Sequence, residues 1–229
     1  MVTKEDNQSV FNFETIRKFI IHVNNPLDDP DFWKWNITEM PYFHKLSEGR
    51  EISFGTPQFI KSGYIYIYGA DWNPVPRERF MILTRVPEDK ITDFDAWEFF
   101  YRGRWQKEST KAGRLFDHFG AEYSISYQPF LQKYVTVYTE NGLSDKIILR
   151  TAAKPEGPWS DPVVVYKTPE VTWDKEYFCY AAKGHPELSK SSNDLLVSYV
   201  CNAFDFFKMA ADTKIYKPKF IRIKFTHDF

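Results

Sequence analysis

Glu122 is the carboxylate whose position in the sequence best fits acid–base chemistry. It stands at the start of a predicted strand and is followed by Tyr123 and Ser124. Burial beside aromatic rings raises the pKa of a carboxyl group, as a general acid in glycosidic bond hydrolysis requires. That reaction usually needs two carboxylates that face each other across the sugar. The alternative hypothesis, which the sequence favours, is that Glu122 only closes a hydrogen bond between neighbouring sheets.

A second group of polar residues occupies the segment Lys-Gly-His-Pro-Glu at 183–187. A neutral imidazole offers one donor and one acceptor, so His185 could bind a sugar hydroxyl or orient a carboxylate. Alternatively, the backbone of a tight Gly-His-Pro turn satisfies the ring. Lys183 is predicted either to contact an anion or hydroxyl or to pair with Glu122 or Glu187.

Trp72 is the tryptophan best placed to stack on a sugar, because the apolar face of an indole matches the C–H face of a sugar ring. It follows Asp71 in a proline-rich segment, which predicts a loop. The alternative is that its ring covers a sheet edge. Trp97, Trp105 and Trp159 fall at strand ends and are predicted to pack between sheets.

The sequence offers no pattern for a metal or a cofactor, and none is expected. Asp28, Asp29 and Asp31 lack the alternating spacing of a calcium loop and predict a solvated turn. Cys179 and Cys201 cannot form a disulfide framework, and their spacing fits no zinc motif. Nucleotide-binding, zinc-protease and Gly-x-Ser-x-Gly motifs do not occur. Composition alone does not exclude a Ser-His-Asp arrangement.

Composition limits the class of protein that these residues belong to. The 229 residues include 30 basic and 31 acidic side chains, a balance that argues against a nucleic-acid partner. Aromatic residues make up 18% of the chain, enough to build a large core and to exclude disorder. No apolar run approaches the roughly 20 residues that span a membrane. The polar start MVTKEDNQSV lacks the apolar region of a signal peptide.

Short segments of alternating β-branched and aromatic residues must position the candidate residues. These segments are bounded by Gly, Pro, Asn or Asp, a pattern typical of strands and turns. They recur in one order roughly every 50–70 residues, as the blades of a β-propeller do. A β-sandwich is the alternative. The sequence predicts one domain over 1–229, with a half blade at 14–40 and blades at 50–105, 120–168 and 177–226.

The strand count indicates that this propeller is incomplete at its N-terminus. About thirteen strands are predicted, whereas a five-bladed ring needs about twenty and a four-bladed ring about sixteen. We therefore expect exposed sheet edges and self-association of the chain through them.

Several segments resemble the later blades of five-bladed, glycoside-hydrolase-like propellers, among them FGTPQFIKSGYIYIYG and IILRTAAKPEGPWSDPVVVY. The chain is similar to the former unknown-function family that includes endo-D-arabinofuranases, and more distantly to arabinanase and β-xylosidase-type propellers. The likeness covers roughly 15–225. Its most specific parts are Arg150–Thr151–Ala152 with GPWSDP, and the Lys-x-His-Pro-Glu segment. These motifs support the fold more than the activity. Full-length relatives are expected to be secreted or periplasmic.

The resemblance implies that the first strand of each blade lines a central channel where sugars are processed. It places at that channel Phe54–Gly55, Glu122–Tyr123–Ser124 and the strand from Tyr180 to His185. The family's catalytic aspartates include residues of the first blades, for which this sequence has no matching positions. No nucleophile or base is therefore carried over.

The resulting hypothesis is a glycoside-hydrolase-like propeller that acts on or binds a polysaccharide, of arabinan type, with little activity as this chain. Glu122 is its catalytic candidate, and Tyr123, Ser124, Tyr180, Lys183, His185 and Trp72 are its substrate-binding candidates. The alternatives are a non-catalytic carbohydrate-binding propeller and a protein-interaction module. A second acidic channel residue within reach of Glu122 would favour the enzyme.

Overall fold

Alternating strands and tight turns build five antiparallel sheets, which the computed structural model describes over residues 2–5 and 13–226. Within these ranges there are seventeen strands, several short 3-10 turns and one α-helix. The predicted domain 1–229 also includes residues 1, 6–12 and 227–229, which lie outside the described residues. No described helix is long and apolar enough to cross a membrane.

Two small sheets precede the larger ones. Strand β1 (Val2–Glu5) pairs with β2 (Phe13–Arg17), and β3 (Phe19–Val23) pairs with β4 (Trp35–Glu39). The aspartates between β3 and β4 form the predicted turn, in which the Asp29 carboxylate accepts the Asp31 N–H and caps a 3-10 turn.

Sheet I contains six strands in the order β10-β9-β8-β7-β6-β5. Its strands are β5 (Phe43–Lys45), β6 (Glu51–Lys61), β7 (Tyr64–Asn73), β8 (Glu78–Pro87), β9 (Glu98–Tyr101) and β10 (Arg104–Gln106). The middle four are the strands of the first predicted blade. The edge strands β5 and β10 were not predicted, because three residues are too few to show a periodicity.

Sheet II contains the four strands of the second predicted blade in their chain order. They are β11 (Tyr123–Gln128), β12 (Lys133–Thr139), β13 (Lys146–Ala152) and β14 (Val163–Lys167). Sheet III contains β15 (Tyr177–His185), β16 (Asp194–Ala203) and β17 (Lys219–Lys224). Helix α1 (Phe206–Ala211) follows β16, and the Asp205 carboxylate caps it by accepting from the N–H groups of Phe207 and Lys208.

The three large sheets pack face to face. Between sheets I and II lie Tyr68, Leu83, Tyr138 and Ile148, and between sheets II and III lie Val137, Leu149, Val197 and Tyr199. Successive antiparallel sheets packed in this manner are the arrangement of propeller blades. The predicted all-β, propeller-like fold is confirmed, and the described residues form no closed ring.

The first strands of sheets I and III each carry a β-bulge. The pairing of β6 with β7 shifts between Phe54 and Gln58, and that of β15 with β16 shifts between Tyr180 and Lys183. Within the second bulge Ala181 adopts a φ of 57°, which is uncommon for a residue with a Cβ. Bulges redirect side chains and are frequent beside functional sites.

A disulfide joins Cys179 to Cys201, directly opposite each other on β15 and β16 with a Cα–Cα distance of 4.0 Å. Two cysteines are too few for a framework of several disulfides, and the single disulfide between them was not predicted from the sequence. Only the register of two strands that are 22 residues apart in the chain brings the two sulfurs together.

Asp71, in β7, has a side chain that is only 1% exposed and pairs with two arginines. Arg50 donates two hydrogen bonds to its carboxylate at 2.7 and 2.9 Å, and Arg114 donates one at 2.7 Å. Arg114 also lies over the Phe80 ring, 3.8 Å from its centroid. The three charged residues tie the start of β6 and the segment before sheet II to the middle of sheet I.

Replacing Asp71 by Asn should lower the free energy of unfolding by about 1.5–3 kcal/mol at pH 7, the usual contribution of hydrogen bonds to a charged group. Burial raises the pKa of the Asp71 carboxyl, but the two arginines outweigh burial and keep it below its usual value of 3.8. The stabilisation is therefore complete above the unfolded pKa and disappears as the pH falls through the folded pKa. Urea unfolding should give the wild type and the Asp71→Asn variant the same free energy of unfolding in acid.

Glu39→Gln is the matched control, because its ion pair with Arg17 is more than half exposed at both residues. It should change stability by roughly 0–1 kcal/mol. An Asp71→Asn variant as mild as this control would contradict the structural role of Asp71.

Removing the disulfide in a Cys179→Ala, Cys201→Ala protein should lower the free energy of unfolding by about 3 kcal/mol, because the unfolded chain regains the entropy of a loop of this length. Chemical unfolding with and without a phosphine reductant measures the effect. Reduced wild type should unfold at the denaturant concentration of the double variant. Equal stability of the oxidised and reduced wild type would contradict the prediction.

Candidate functional site

Glu122 immediately precedes β11 and is half-buried. Its charge favours the charged form of Arg79, a residue of sheet I whose pKa burial lowers. It also acts on Tyr180 of sheet III, whose pKa is raised mainly by burial and further by Tyr216 and Glu122. The Glu122 carboxylate therefore lies near both Arg79 of sheet I and Tyr180 of sheet III.

A row of three side chains crosses sheet I and includes Arg79. Glu51 of β6 lies opposite Trp72 of β7, and Trp72 lies opposite Arg79 of β8. Directly opposite residues of antiparallel strands point to the same face of a sheet. The Arg79 guanidinium sits 4.9 Å from the centre of the Trp72 ring, and the buried Nε atom of Arg79 has no hydrogen-bond partner.

The prediction that Trp72 lies in a loop is wrong. Strand β7 continues to Asn73, because residues 71–73 pair with β8 before the prolines begin. Asp71 and Trp72 point to opposite faces of the sheet, where Asp71 contacts arginines and Trp72 lies in the row with Glu51. Arg79 and the more distant Arg77, 5.8 Å from the ring centre, both approach the Trp72 ring.

Glu51 is a second carboxylate near Arg79, and the sequence analysis missed it. Together with Glu122 it favours the charged form of Arg79, and it forms a 3.8 Å ion pair with Lys45. Glu51 is the first residue of β6, as Glu122 directly precedes β11. Comparing the starts of equivalent strands in consecutive repeats could have found it.

Tyr123 and Ser124 follow Glu122 but differ in their surroundings. Tyr123 is only 7% exposed, and its hydroxyl has no hydrogen-bond partner among the residues that the structure describes. Burial raises the pKa of Tyr123 well above its usual value of 10, so this phenol is neutral. The Ser124 hydroxyl accepts the N–H of Gly184 at 2.7 Å and so joins the first strands of sheets II and III.

Tyr180 lines a cavity of about 480 Å³ on sheet III. The walls are mainly apolar and come from β16, α1 and the segment that follows α1. Its lining residues are Tyr180, Val200, Met209, Ala210, Thr213, Tyr216, Lys217 and Pro218.

His185 is the last residue of β15, and Lys183, two residues earlier in the strand, is exposed. The imidazole contacts side chains and not the backbone of a turn. Its Nδ1 lies 3.1 Å from Glu187 Oε1 and its Nε2 lies 2.7 Å from Ser198 Oγ. The charge of Glu122 acts on Tyr180, and the hydrogen bond from Gly184 to Ser124 places the segment that contains Lys183 and His185 beside the start of β11.

Within the described part of the chain, one group of metal-ligand types comes together, formed by Glu170, Cys179 and Cys201. Both sulfurs belong to the disulfide. The buried Glu170 carboxylate accepts the Tyr199 hydroxyl, with both of its oxygens 3.2 Å from that group. This cluster is therefore satisfied by internal bonds.

The sequence matches, over residues 2–225, the family described as "Domain of unknown function (DUF5005)". The chain belongs to this family. No curated protein matches the DUF5005 chain. A solved structure that resembles it is a proposed hydrolase from Bacteroides ovatus, with a TM-score of 0.57 and 18% identity. The alignment covers 75% of the DUF5005 chain but 44% of that protein, so the chain spans less than half of the hydrolase's length. At this identity the two proteins share a fold.

Replacing Tyr123 by Phe should leave the free energy of unfolding unchanged or raise it, because the lost hydroxyl has no partner in its buried position. Tyr138→Phe is the matched control, since the buried Tyr138 hydroxyl accepts Arg150 Nε at 2.9 Å. That variant should lose about 1–3 kcal/mol. Urea unfolding measures both, and equal losses in the two variants would contradict the assignment of Tyr123 as unpartnered.

Proposed function

We propose that the protein binds a polysaccharide beside Glu122 and hydrolyses it as glycoside-hydrolase-like propellers do. The observation that carries this proposal is the row of Glu51, Trp72 and Arg79 across sheet I, with Glu122 as the second carboxylate whose charge acts on the partly buried Arg79. Glycosidic bond hydrolysis uses two carboxylates on either side of the sugar. Glu51 is our candidate for the second carboxylate that this reaction needs.

The surrounding residues suit a sugar in this position. Arg79 and Lys18 provide partly buried positive charge, and Lys18 Nζ lies 3.4 Å from the Phe54 carbonyl oxygen at the β6 bulge. Trp72 offers aromatic surface beside Arg79, and Tyr180 offers it near Glu122, and aromatic faces stack on sugar C–H groups. Tyr123 and Ser124 complete the set, with Ser124 holding the neighbouring strand in place.

The resemblance stated above favours an arabinan-type substrate for this proposal. The relationship to a proposed hydrolase of the same fold supports a hydrolytic reaction at low identity. The predicted sugar contacts of Lys183 and His185 stay predictions.

A non-catalytic carbohydrate-binding protein is the second candidate. The observation that favours it is the position of Arg79, whose side chain already covers one face of Trp72. An arginine that stacks on this ring presents N–H donors beside it, which suits binding of hydroxyl groups more than proton transfer.

The test compares Glu51→Gln and Glu122→Gln with Glu88→Gln, an exposed glutamate in a turn. If the protein is a hydrolase, release of sugars from arabinan, arabinogalactan or aryl arabinosides should fall on the order of 10²–10⁴-fold in the first two variants only. Binding of the same polysaccharides should persist in both.

The binding candidate predicts a different pattern, with no sugar release by the wild type and affinity lost in Trp72→Ala. Affinity electrophoresis in gels that contain each polysaccharide measures this. Neither release nor retention of any pentose polysaccharide by the wild type would contradict both candidates.

A further inference from the structure

Ser198, His185 and Glu187 form a contiguous hydrogen-bonded group on sheet III. Ser198 Oγ lies 2.7 Å from His185 Nε2, and Glu187 Oε1 lies 3.1 Å from His185 Nδ1. Both distances are within the range of a nucleophile that is paired with a base and a base that is oriented by a third group. A serine, a histidine and a carboxylate in this order define the hydrolytic triad by geometry, whatever the fold.

The protonation of the ring follows from its partners. An ionised Glu187 only accepts hydrogen bonds, so the proton of a neutral His185 resides on Nδ1. Nε2 then carries the lone pair and accepts the hydroxyl proton of Ser198. This is the tautomer that a general base for serine requires.

The local sequence explains why the three groups meet. Ser198 pairs with Lys183 in the register of β15 and β16, and His185 is two residues further along β15 on the same face. Pro186 begins a 3-10 turn that brings Glu187 back beside the ring. The Ser189 hydroxyl donates to the His185 carbonyl oxygen and accepts the N–H of Leu196, which fixes the turn against β16.

Ser198 points away from the core. Along β16 the residues alternate, with Val197, Tyr199 and Cys201 buried against sheet II and Ser198, Val200 and Asn202 partly exposed on the other face. In the row across the sheet, Lys183 lies on one side of Ser198 and Phe220, 58% exposed, on the other. The nucleophile therefore has a cation and an apolar ring as its neighbours.

The apolar cavity described above begins on the same sheet face. Val200 follows Ser198 by two residues, and Tyr180 lies opposite Val200, and both line the cavity of about 480 Å³. A volume of this size accepts an aromatic ring or a medium-length aliphatic chain. Its apolar walls favour an uncharged group of that kind.

We propose that Ser198, His185 and Glu187 hydrolyse carboxylic esters whose apolar acyl group occupies the adjoining cavity. This activity is separate from the glycosidic chemistry proposed for Glu51 and Glu122, and it does not depend on that proposal. Ser198 and His185 are its catalytic residues, and Glu187 is a positioning residue.

The reaction needs water as its only co-reactant. Ser198 Oγ attacks the ester carbonyl carbon while its proton passes to His185 Nε2, and the carbonyl oxygen becomes an oxyanion beside Lys183. The bond from that carbon to the alcohol oxygen then breaks, and the alcohol leaves with the proton from Nε2. Water attacks the acyl-serine and gives a proton to Nε2. The bond to Oγ breaks, the proton returns to Ser198, and the acid is released.

A second serine–histidine contact in the chain provides an internal control. Ser109 Oγ lies 2.7 Å from His44 Nε2, as close as the contact of Ser198 with His185. Ser109 is only 8% exposed, and within residues 2–5 and 13–226 neither residue forms an ion pair with a carboxylate. The Ser109–His44 pair thus has the hydrogen bond that would activate a serine nucleophile, but its burial keeps a substrate from reaching the serine.

The test measures hydrolysis of p-nitrophenyl acetate and p-nitrophenyl butyrate by the purified chain. Turnover should saturate, prefer the butyrate ester, and fall roughly 100-fold or more in Ser198→Ala and in His185→Ala. Ser109→Ala should keep the wild-type rate. Glu187→Gln should lower kcat on the order of tenfold with KM unchanged, which a purely structural role would not produce.

A fluorophosphonate probe tests the nucleophile in the wild-type protein, where no variant has to fold. Peptide mass analysis should find the phosphonyl group on Ser198. Wild-type turnover in Ser198→Ala, or the absence of label at Ser198, would overturn the proposal. Because none of these assays contains a glycosidic bond, the result is independent of the Glu51 and Glu122 variants.

Discussion

Burial of both faces of sheet II is the constraint on which the rest of the structure depends. Strand β12 is buried over six successive residues and β13 over four, so neither has a face that tolerates water. A sheet of this kind is stable only between two others, and sheets I and III supply its partners through separate apolar clusters. The apolar area that they remove from water is the dominant favourable contribution to such a stack.

This stacking brings the first strands of successive sheets side by side. Thr139 and Ser124 of sheet II accept backbone N–H groups of Ala182 and Gly184 at the bulge of β15. The polar groups of a bulge, which a regular ladder would satisfy, are thus satisfied by the neighbouring sheet. The start of β11 then lies beside Gly184, near the end of β15, and the charge of Glu122 acts on both Arg79 and Tyr180 although these residues are distant in the chain.

Much of this fold could be predicted from the sequence, because period-two burial and turn residues are local. The strands of sheets I and II were predicted to within a few residues, except for short β5 and β10. Trp72 was misplaced because the prolines after it suggested a loop that begins only beyond Asn73. Glu51 and Ser198 were missed for another reason, since only strand register shows that Glu51 shares a row with Arg79 and that Ser198 meets His185.

The disulfide was likewise hidden in the register, and it has a consequence for how the chain must be made. Cys179 and Cys201 hold β15 and β16 in one alignment, and a slip of one residue would turn Ser198 and His185 to opposite faces. The cross-link forms in oxidising compartments and remains open in a reducing cytosol. In protein prepared from reducing cells the disulfide would be open, and backbone pairing alone would maintain the alignment of β15 with β16. Whether a sample was prepared under oxidising or reducing conditions therefore decides whether it contains this disulfide.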